Sequence, residues 1–213
     1  MIEVENILFD FNGTIIDDVD LCLKLLNQML IKRNHLPVSK ERYLEIFTFP
    51  VIEYYKLAGF KFPEDDFDEL ATFFINEYKR QNVTCPLYPN VIRTLNYLIS
   101  KNIKLAIVSA SEKNLLLSQL EQYGIKNYFF GISGLDSINA DSKIESAKKF
   151  INKNNLNLSK TIFVGDTLHD ADVALTLGIP CILIASGHQC KKVLNQSNAV
   201  ILDDFGELIN IIK

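Results

Sequence analysis

The sequence predicts an α/β fold: a Rossmann-like, doubly wound parallel sheet core with an inserted all-helical cap. Three observations carry this. From residue 90 onward, short apolar runs alternate with stretches of helical periodicity, the pattern of βαβ units. Those runs are apolar at successive positions rather than at every second one, as strands covered on both faces must be. And residues 19–81, directly after the first apolar run, keep helical spacing throughout without a convincing strand.

The elements follow in order. Residues 4–10, "VENILFD", form a short strand closed by an acid. Residues 19–34 set Leu21, Leu25, Met29 and Leu30 at helical spacing behind an acidic start, which a helix N-terminus favours. Residues 39–47 open on Ser39, a capping residue. Residues 51–58 make a short helix that Gly59 closes, and residues 63–81 a long amphipathic one with an acidic first turn. After "CPLYP" the alternation begins. A helix at 90–101 leads to a strand at 103–108 that runs into "SAS". A helix at 112–123, stopped by Gly124, precedes a strand at 128–132. A helix at 141–154 leads to a strand at 161–164 that runs into "GDT". The helix at 170–177 is stopped by Gly178. Strands at 181–185 and 199–202 and a helix at 205–212 end the chain. The expected division is a core of residues 1–16 and 84–213 and a cap of residues 17–83.

The 213 residues suffice for one large core with a smaller module, and 48% hydrophobic with 23% charged is ordinary for a globular chain. A net charge of -4 and a pI near 5.4 leave no electrostatic footprint for nucleic acid. No apolar run approaches the roughly 20 residues of a membrane span. The start "MIEVENILFD" lacks the basic and apolar regions of a secretory signal, and four scattered cysteines form no CxxC. A cytoplasmic protein with reduced thiols is the expectation. His35, His169 and His188 have no metal-ligand spacing. The oligomeric state is not legible.

In a parallel α/β sheet, ligands bind beyond the carboxyl ends of the strands. Asp10, Ser109, Gly165–Asp166 and Ser186 stand at such ends. Asp10 alone can be a metal ligand, a nucleophile or the stabiliser of an Asx turn. "VGDTLHD" adds Asp166 after a second strand and Asp170 four residues on, near a helix start, and two strand ends carrying acids with a third acid close by make an oxygen-rich site for a hard cation such as Mg²⁺. The "SAS" at Ser109, with the backbone N–H groups that follow, suits an anion or simply caps a helix. Lys143 sits at a helix start, where a cation opposes the dipole, so either an active-site partner or plain solvent explains it.

In register, these four elements resemble the haloacid dehalogenase superfamily, nearly over the whole chain. "DFNGT" is similar to the first motif, usually DxDGT; "IVSAS" to the second; Lys143 to the third; and "GDTLHD" to the GDxxxD form of the fourth. "DFNGTIIDD", with Asp17, resembles the longer first motif of phosphoglycolate-phosphatase-like members, and the helical insertion sits where their alpha-helical C1 cap belongs. The resemblance implies a phosphatase acting on a small phosphorylated metabolite. Asp10 would be the nucleophile that becomes an aspartyl-phosphate. Mg²⁺ would be held by Asp10, the backbone carbonyl of Asn12, and Asp166, with Asp170 ligating directly or through water. Ser109, Ala110 and Lys143 would hold phosphate oxygens. Phosphoryl transfer depends chiefly on positioning and charge neutralisation, which this set provides.

One residue departs from the pattern. At position 12 such phosphatases usually carry an aspartate that protonates the leaving oxygen and then activates water. Asn12 keeps the carbonyl and can donate hydrogen bonds but cannot shuttle a proton, a loss worth ~10²–10⁴-fold in rate. A protein that binds phosphate but turns over weakly is therefore the alternative reading, and Asn12→Asp is expected to raise turnover. Asp17, Asp18 and His169 are candidate replacement shuttles; capping of the first cap helix and, for His169, a surface position or one just behind the site are their plainer readings. A substrate whose good leaving group needs little protonation is a further explanation. In the cap, residues 45–55, "EIFTFPVIEYY", are the expected specificity segment, with Arg42, Thr48, Tyr54 and Tyr55 as candidates set against a simple role in the cap core. Ser186, Gly187 and His188 are candidates to line the mouth of the site, with a simple strand-to-helix turn as the plainer reading.

Overall fold

The computed structural model describes residues 2–135 and 143–213. Its six strands are β1 (Asn6–Phe9), β2 (Lys104–Glu112), β3 (Gly131–Leu135), β4 (Thr161–Gly165), β5 (Cys181–Ile184) and β6 (Val200–Leu202). They form one sheet in the order β3-β2-β1-β4-β5-β6, and every neighbouring pair is parallel. The expected fold class is the one observed. β1 lies in the middle, with Phe9 paired to Ile107 on one side and Val164 on the other. The N–H of Asp10 still donates to the carbonyl of Val164 at 2.8 Å. This register brings the carboxyl ends of β1, β2 and β4 together, so Asp10, Ser109 and Asp166 reach one edge although over 150 residues separate the first from the last.

Both faces of the sheet are covered, and the alternation of side chains decides which residues face which layer. Ile7 and Phe9 join the larger core, while Leu8 between them joins a second one with Ala106, Val108 and Phe163. Helices α7 (Lys143–Asn154) and α8 (Leu168–Leu177) close the second core through Ala147, Phe150, Val173 and Leu177. Between β1 and β2 come α1 (Val19–Lys32), α2 (Lys40–Ile46), α3 (Val51–Ala58), α4 (Phe67–Gln81) and α5 (Val91–Ser100). α1 buries Leu21, Leu25, Leu26, Met29 and Leu30, the stripe its periodicity predicts. α6 (Lys113–Gln122), α9 (Lys191–Leu194) and α10 (Leu208–Ile211) complete the chain.

Several boundaries differ, each for a local reason. α4 begins at Phe67 rather than 63 because the Asp66 carboxylate accepts the N–H of Glu69 and caps the helix there. β2 continues to Glu112, with its pairing to β3 shifted between Val108 and Glu112. β3 starts later than expected because Lys126–Tyr128 form a 3₁₀ turn. α8 starts at Leu168, with Thr167 in the capping position and Asp170 as its capping-box partner, accepting the Thr167 N–H. The expected closing helix is a 3₁₀ turn, Phe205–Glu207, followed by α10. The first two residues of the helix expected at 141–154 lie outside the described residues, and α7 is described from Lys143. Among the described residues no helix is long and apolar enough to cross a membrane.

Candidate active site

Asp10 stands one residue past the buried strand β1, so its backbone is fixed by the ladder while its side chain keeps 14% exposure. The lysine at the head of α7 meets it. Lys143 is buried, and its Nζ lies 2.9 Å from Asp10 Oδ2 and 2.5 Å from Asp170 Oδ1, above the ring of Phe163. Burial would lower the Lys143 pKa, but the two carboxylates hold it well above the ordinary lysine value. It is thus a fixed cation wedged between two acids. That accounts for a lysine at a helix start, where the dipole alone would disfavour it.

Asp170 is held from every side. Its Oδ2 accepts from the N–H groups of Asp166 and Thr167 and from the Thr167 hydroxyl, at 3.1, 3.0 and 2.8 Å, while Oδ1 faces Lys143. Burial works against its charge, but Lys143 and these donors outweigh burial and keep it below the usual carboxylate range. Asp170 therefore orients the β4–α8 turn and Lys143 together.

Asp166 is buried completely. Its Oδ1 accepts from the Thr14 hydroxyl at 2.8 Å and its Oδ2 from the His188 N–H at 2.7 Å. The chain passes so close to this carboxylate that a Cβ on Gly13 or Gly187 would collide with it, and Gly13 also has φ +71°. Burial drives the Asp166 pKa up to about 7, against the pull of His188. Burial likewise raises Asp10 to about 6, although Lys143 opposes it. Carboxylate oxygens of Asp10, Asp166 and Asp170 lie within 4.8 Å of one another. Three clustered acids against one lysine, two of them resisting ionisation, make an under-neutralised set of hard oxygen donors. That chemistry fits a divalent cation such as Mg²⁺.

Asn12 lies half-buried beside this cluster, and its amide is fully engaged. Nδ2 donates to Asp18 Oδ2 at 2.8 Å and to the Tyr78 hydroxyl at 2.5 Å, while Oδ1 accepts from the Ser111 hydroxyl at 2.7 Å. Asp18 occupies the N-terminus of α1 but makes no capping bond with its side chain. Its carboxylate turns inward instead, accepting from the Gly13 N–H at 3.0 Å and the Tyr78 hydroxyl at 2.7 Å, and meeting His188 Nε2 at 3.2 Å. The other ring nitrogen of His188 meets the Tyr43 hydroxyl at 2.7 Å. Burial would lower the His188 pKa, but Asp18 reverses this and places it at about 9. His188 in turn keeps Asp18 low despite its burial.

The structure thus brings Asp10, Asn12, Lys143, Asp166 and Asp170 together. Ser109 is buried at the end of β2, its hydroxyl accepting the Ser111 N–H at 3.1 Å, and Ala110 is exposed next to it. Tyr54 and Tyr55 are buried in the larger core, and Arg42 is exposed beside Glu45. His169 is half-buried and packs on Phe49, with ring centroids 4.8 Å apart. Burial, followed by the charge of Lys143, lowers its pKa. The loop between α2 and α3 meets the turn after β5 where Phe47 stacks on His188, centroids 4.7 Å apart, and where Gln189 Nε2 donates to the Phe47 carbonyl at 2.6 Å. Sequence reasoning weighs His188 at the site mouth but not its pairing with Asp18, and it misses Tyr43, Tyr78 and Ser111. Asp18 and His188 are 170 residues apart, so no spacing links them. A usable signal was an ionisable residue next to glycine in "SGH", past a strand end.

The fold and the sequence together place this chain among the hydrolases. The chain belongs to the haloacid dehalogenase-like hydrolase family, whose model matches residues 7–184. Phosphoglycolate phosphatase of Pseudomonas fluorescens strain Pf0-1 is 25% identical over 211 residues, which cover 95% of this chain and 78% of the relative. Phosphoglycolate phosphatase of Agrobacterium fabrum is 26% identical over 209 residues, 94% of this chain and 89% of the relative. The crystal structure of a predicted phosphatase from Clostridium acetobutylicum shares the fold, with a TM-score of 0.82 over 98% of this chain and 97% of that chain, at 19% identity.

Proposed function

We propose that this chain is a Mg²⁺-dependent phosphatase that removes the phosphoryl group from a small metabolite through an aspartyl-phosphate at Asp10. The observation that carries the proposal is the buried Lys143 between Asp10 and Asp170, beside the raised, fully buried Asp166. Asp10 attacks phosphorus, and Lys143 neutralises charge on the transferring group without leaving its place. Ser109 and the N–H of Ala110 hold phosphate oxygens. Asp10, Asp166 and the Asn12 carbonyl hold the cation, Asp170 steadies them, and the bound ion supplies positive charge for the phosphoryl oxygens. Residues 17–83 form the cap that covers the substrate, and the reaction belongs to the cytoplasm.

The phosphatase names of the relatives support the reaction class, and phosphoglycolate is the first compound to assay. Asn12 favours a second reading, a phosphate-binding protein of weak turnover. A panel of phosphorylated metabolites, assayed for phosphate release with Mg²⁺ and with chelator, separates the two. Release that requires Mg²⁺ and vanishes in Asp10→Asn supports the phosphatase. Tight phosphate binding without release from any compound supports the binding protein.

A further inference from the structure

Asn12 is held as an amide by its surroundings. Its NH₂ group points at the Asp18 carboxylate and the Tyr78 hydroxyl, and its carbonyl oxygen receives the Ser111 hydroxyl. An aspartate at position 12 would put a second carboxylate within hydrogen-bond distance of Asp18, in a pocket that shields little. Asp18 is in turn fixed by Gly13, Tyr78 and His188. The pocket is built around the amide.

Three other proton-bearing groups nearby are also committed. Lys143 spans Asp10 and Asp170. The His188 ring is buried, with one nitrogen on Asp18 and the other on Tyr43. The Tyr78 hydroxyl donates to Asp18. Each of these groups already has its partner within the protein.

From this arrangement we infer that the substrate class is phosphoryl compounds whose leaving group departs as a stable anion, acyl phosphates and aryl phosphates, rather than alkyl phosphate esters. The inference rests on the phosphatase reading above. In the first step the bond from phosphorus to the leaving oxygen breaks and a bond from phosphorus to an Asp10 oxygen forms. The leaving group takes the electron pair and goes unprotonated as its carboxylate or aryloxide. In the second step water attacks the same phosphorus, the Asp10 oxygen leaves as a carboxylate, and both water hydrogens end on inorganic phosphate. Neither step needs a proton from position 12. The second proceeds without a positioned base, so the phosphoenzyme accumulates.

The test compares acetyl phosphate and p-nitrophenyl phosphate with an alkyl phosphate such as phosphoglycolate. The proteins are the native chain and Asn12→Asp/Asp18→Asn, which exchanges the acid and the amide and so keeps one carboxylate in the pocket. Intact-mass detection of the phosphoenzyme accompanies the rates. Native kcat/KM should be ~10²–10⁴-fold lower on the alkyl ester than on the activated compounds, the worth of one general acid. A burst of leaving group equal to the enzyme should appear, and the exchanged pair should narrow the gap. Native rates within tenfold across both classes, with phosphoenzyme present, overturn the inference and leave the phosphatase reading standing. A gap that widens in His169→Gln identifies a working proton donor and overturns the inference as well. Release without any accumulated phosphoenzyme overturns the inference alone, and neither release nor phosphoenzyme with any compound removes both.

Discussion

The imidazole of His188 lies between the Asp18 carboxylate and the Tyr43 hydroxyl, while its backbone N–H donates to Asp166, and this ties the turn after β5 to α1, α2 and β4. Its pKa of about 9 stands above the ordinary 6.5, so the folded chain binds more protons than the unfolded chain between those values. The stability that the pair contributes is complete below about pH 6.5 and is lost as pH rises through about 9. Across that interval the shift corresponds to on the order of 3 kcal/mol. The melting temperature of the protein in chelator should therefore fall between pH 6.5 and 9, and Asp18→Asn should flatten the fall. Parallel curves for the two proteins would show that the pair does not carry the dependence. From the sequence, His188 reads as a turn or site-mouth residue and Asp18 as a helix cap. Both readings rest on local position, and both miss that the fold directs the two side chains to one pocket.

Elements were easier to read than their ends. α1 keeps its predicted start at Val19, and α3 its predicted span of Val51–Ala58, because a capping position and a glycine bound an unambiguous apolar period. α8 was read two residues late because Asp170 looks like a cap, whereas Thr167 takes that place and Asp170 reaches back to its own turn. The segment after β5 reads as a turn or as part of the site mouth, and it carries the contacts that seat the loop between α2 and α3. Gln189 receives the Leu168 N–H at 2.7 Å and donates to the Phe47 carbonyl at 2.6 Å, so one buried side chain joins the start of α8 to the loop between α2 and α3. Replacing Gln189 with Ala leaves both backbone groups without that partner, and each such group costs ~1–3 kcal/mol when water cannot replace the bond. Urea denaturation should show a loss of that size. Hydrogen exchange should show faster opening of residues 47–50 than of the sheet; unchanged exchange there would deny Gln189 its role in seating the loop.

For the whole molecule, the sheet order decides what the sequence motifs can do. Asp10, Ser109 and Asp166 became neighbours only because β1 sits between β2 and β4, an order that alternating strand and helix patterns suggest and pairing registers settle. The strand-end acids were legible because a parallel sheet exposes that edge alone. The polar network beneath the cap was not, since it joins side chains from α1, α2, α4 and the turn after β5. The same packing holds Asp10 and Asp166 at about 6 and about 7, so between their ordinary values and these the folded, cation-free chain takes up protons that the unfolded chain has lost. Their charged forms are thus a cost that grows as pH rises through that window. A divalent cation held by the two carboxylates removes the cost but must compete with protons at low pH. Mg²⁺ should therefore raise the melting temperature at pH 8 by roughly 5–10 °C at a hundredfold excess over Kd. The shift should shrink towards pH 5 and be absent in Asp166→Asn. A shift of equal size at both pH values, or one that survives Asp166→Asn, would place the cation elsewhere on the molecule.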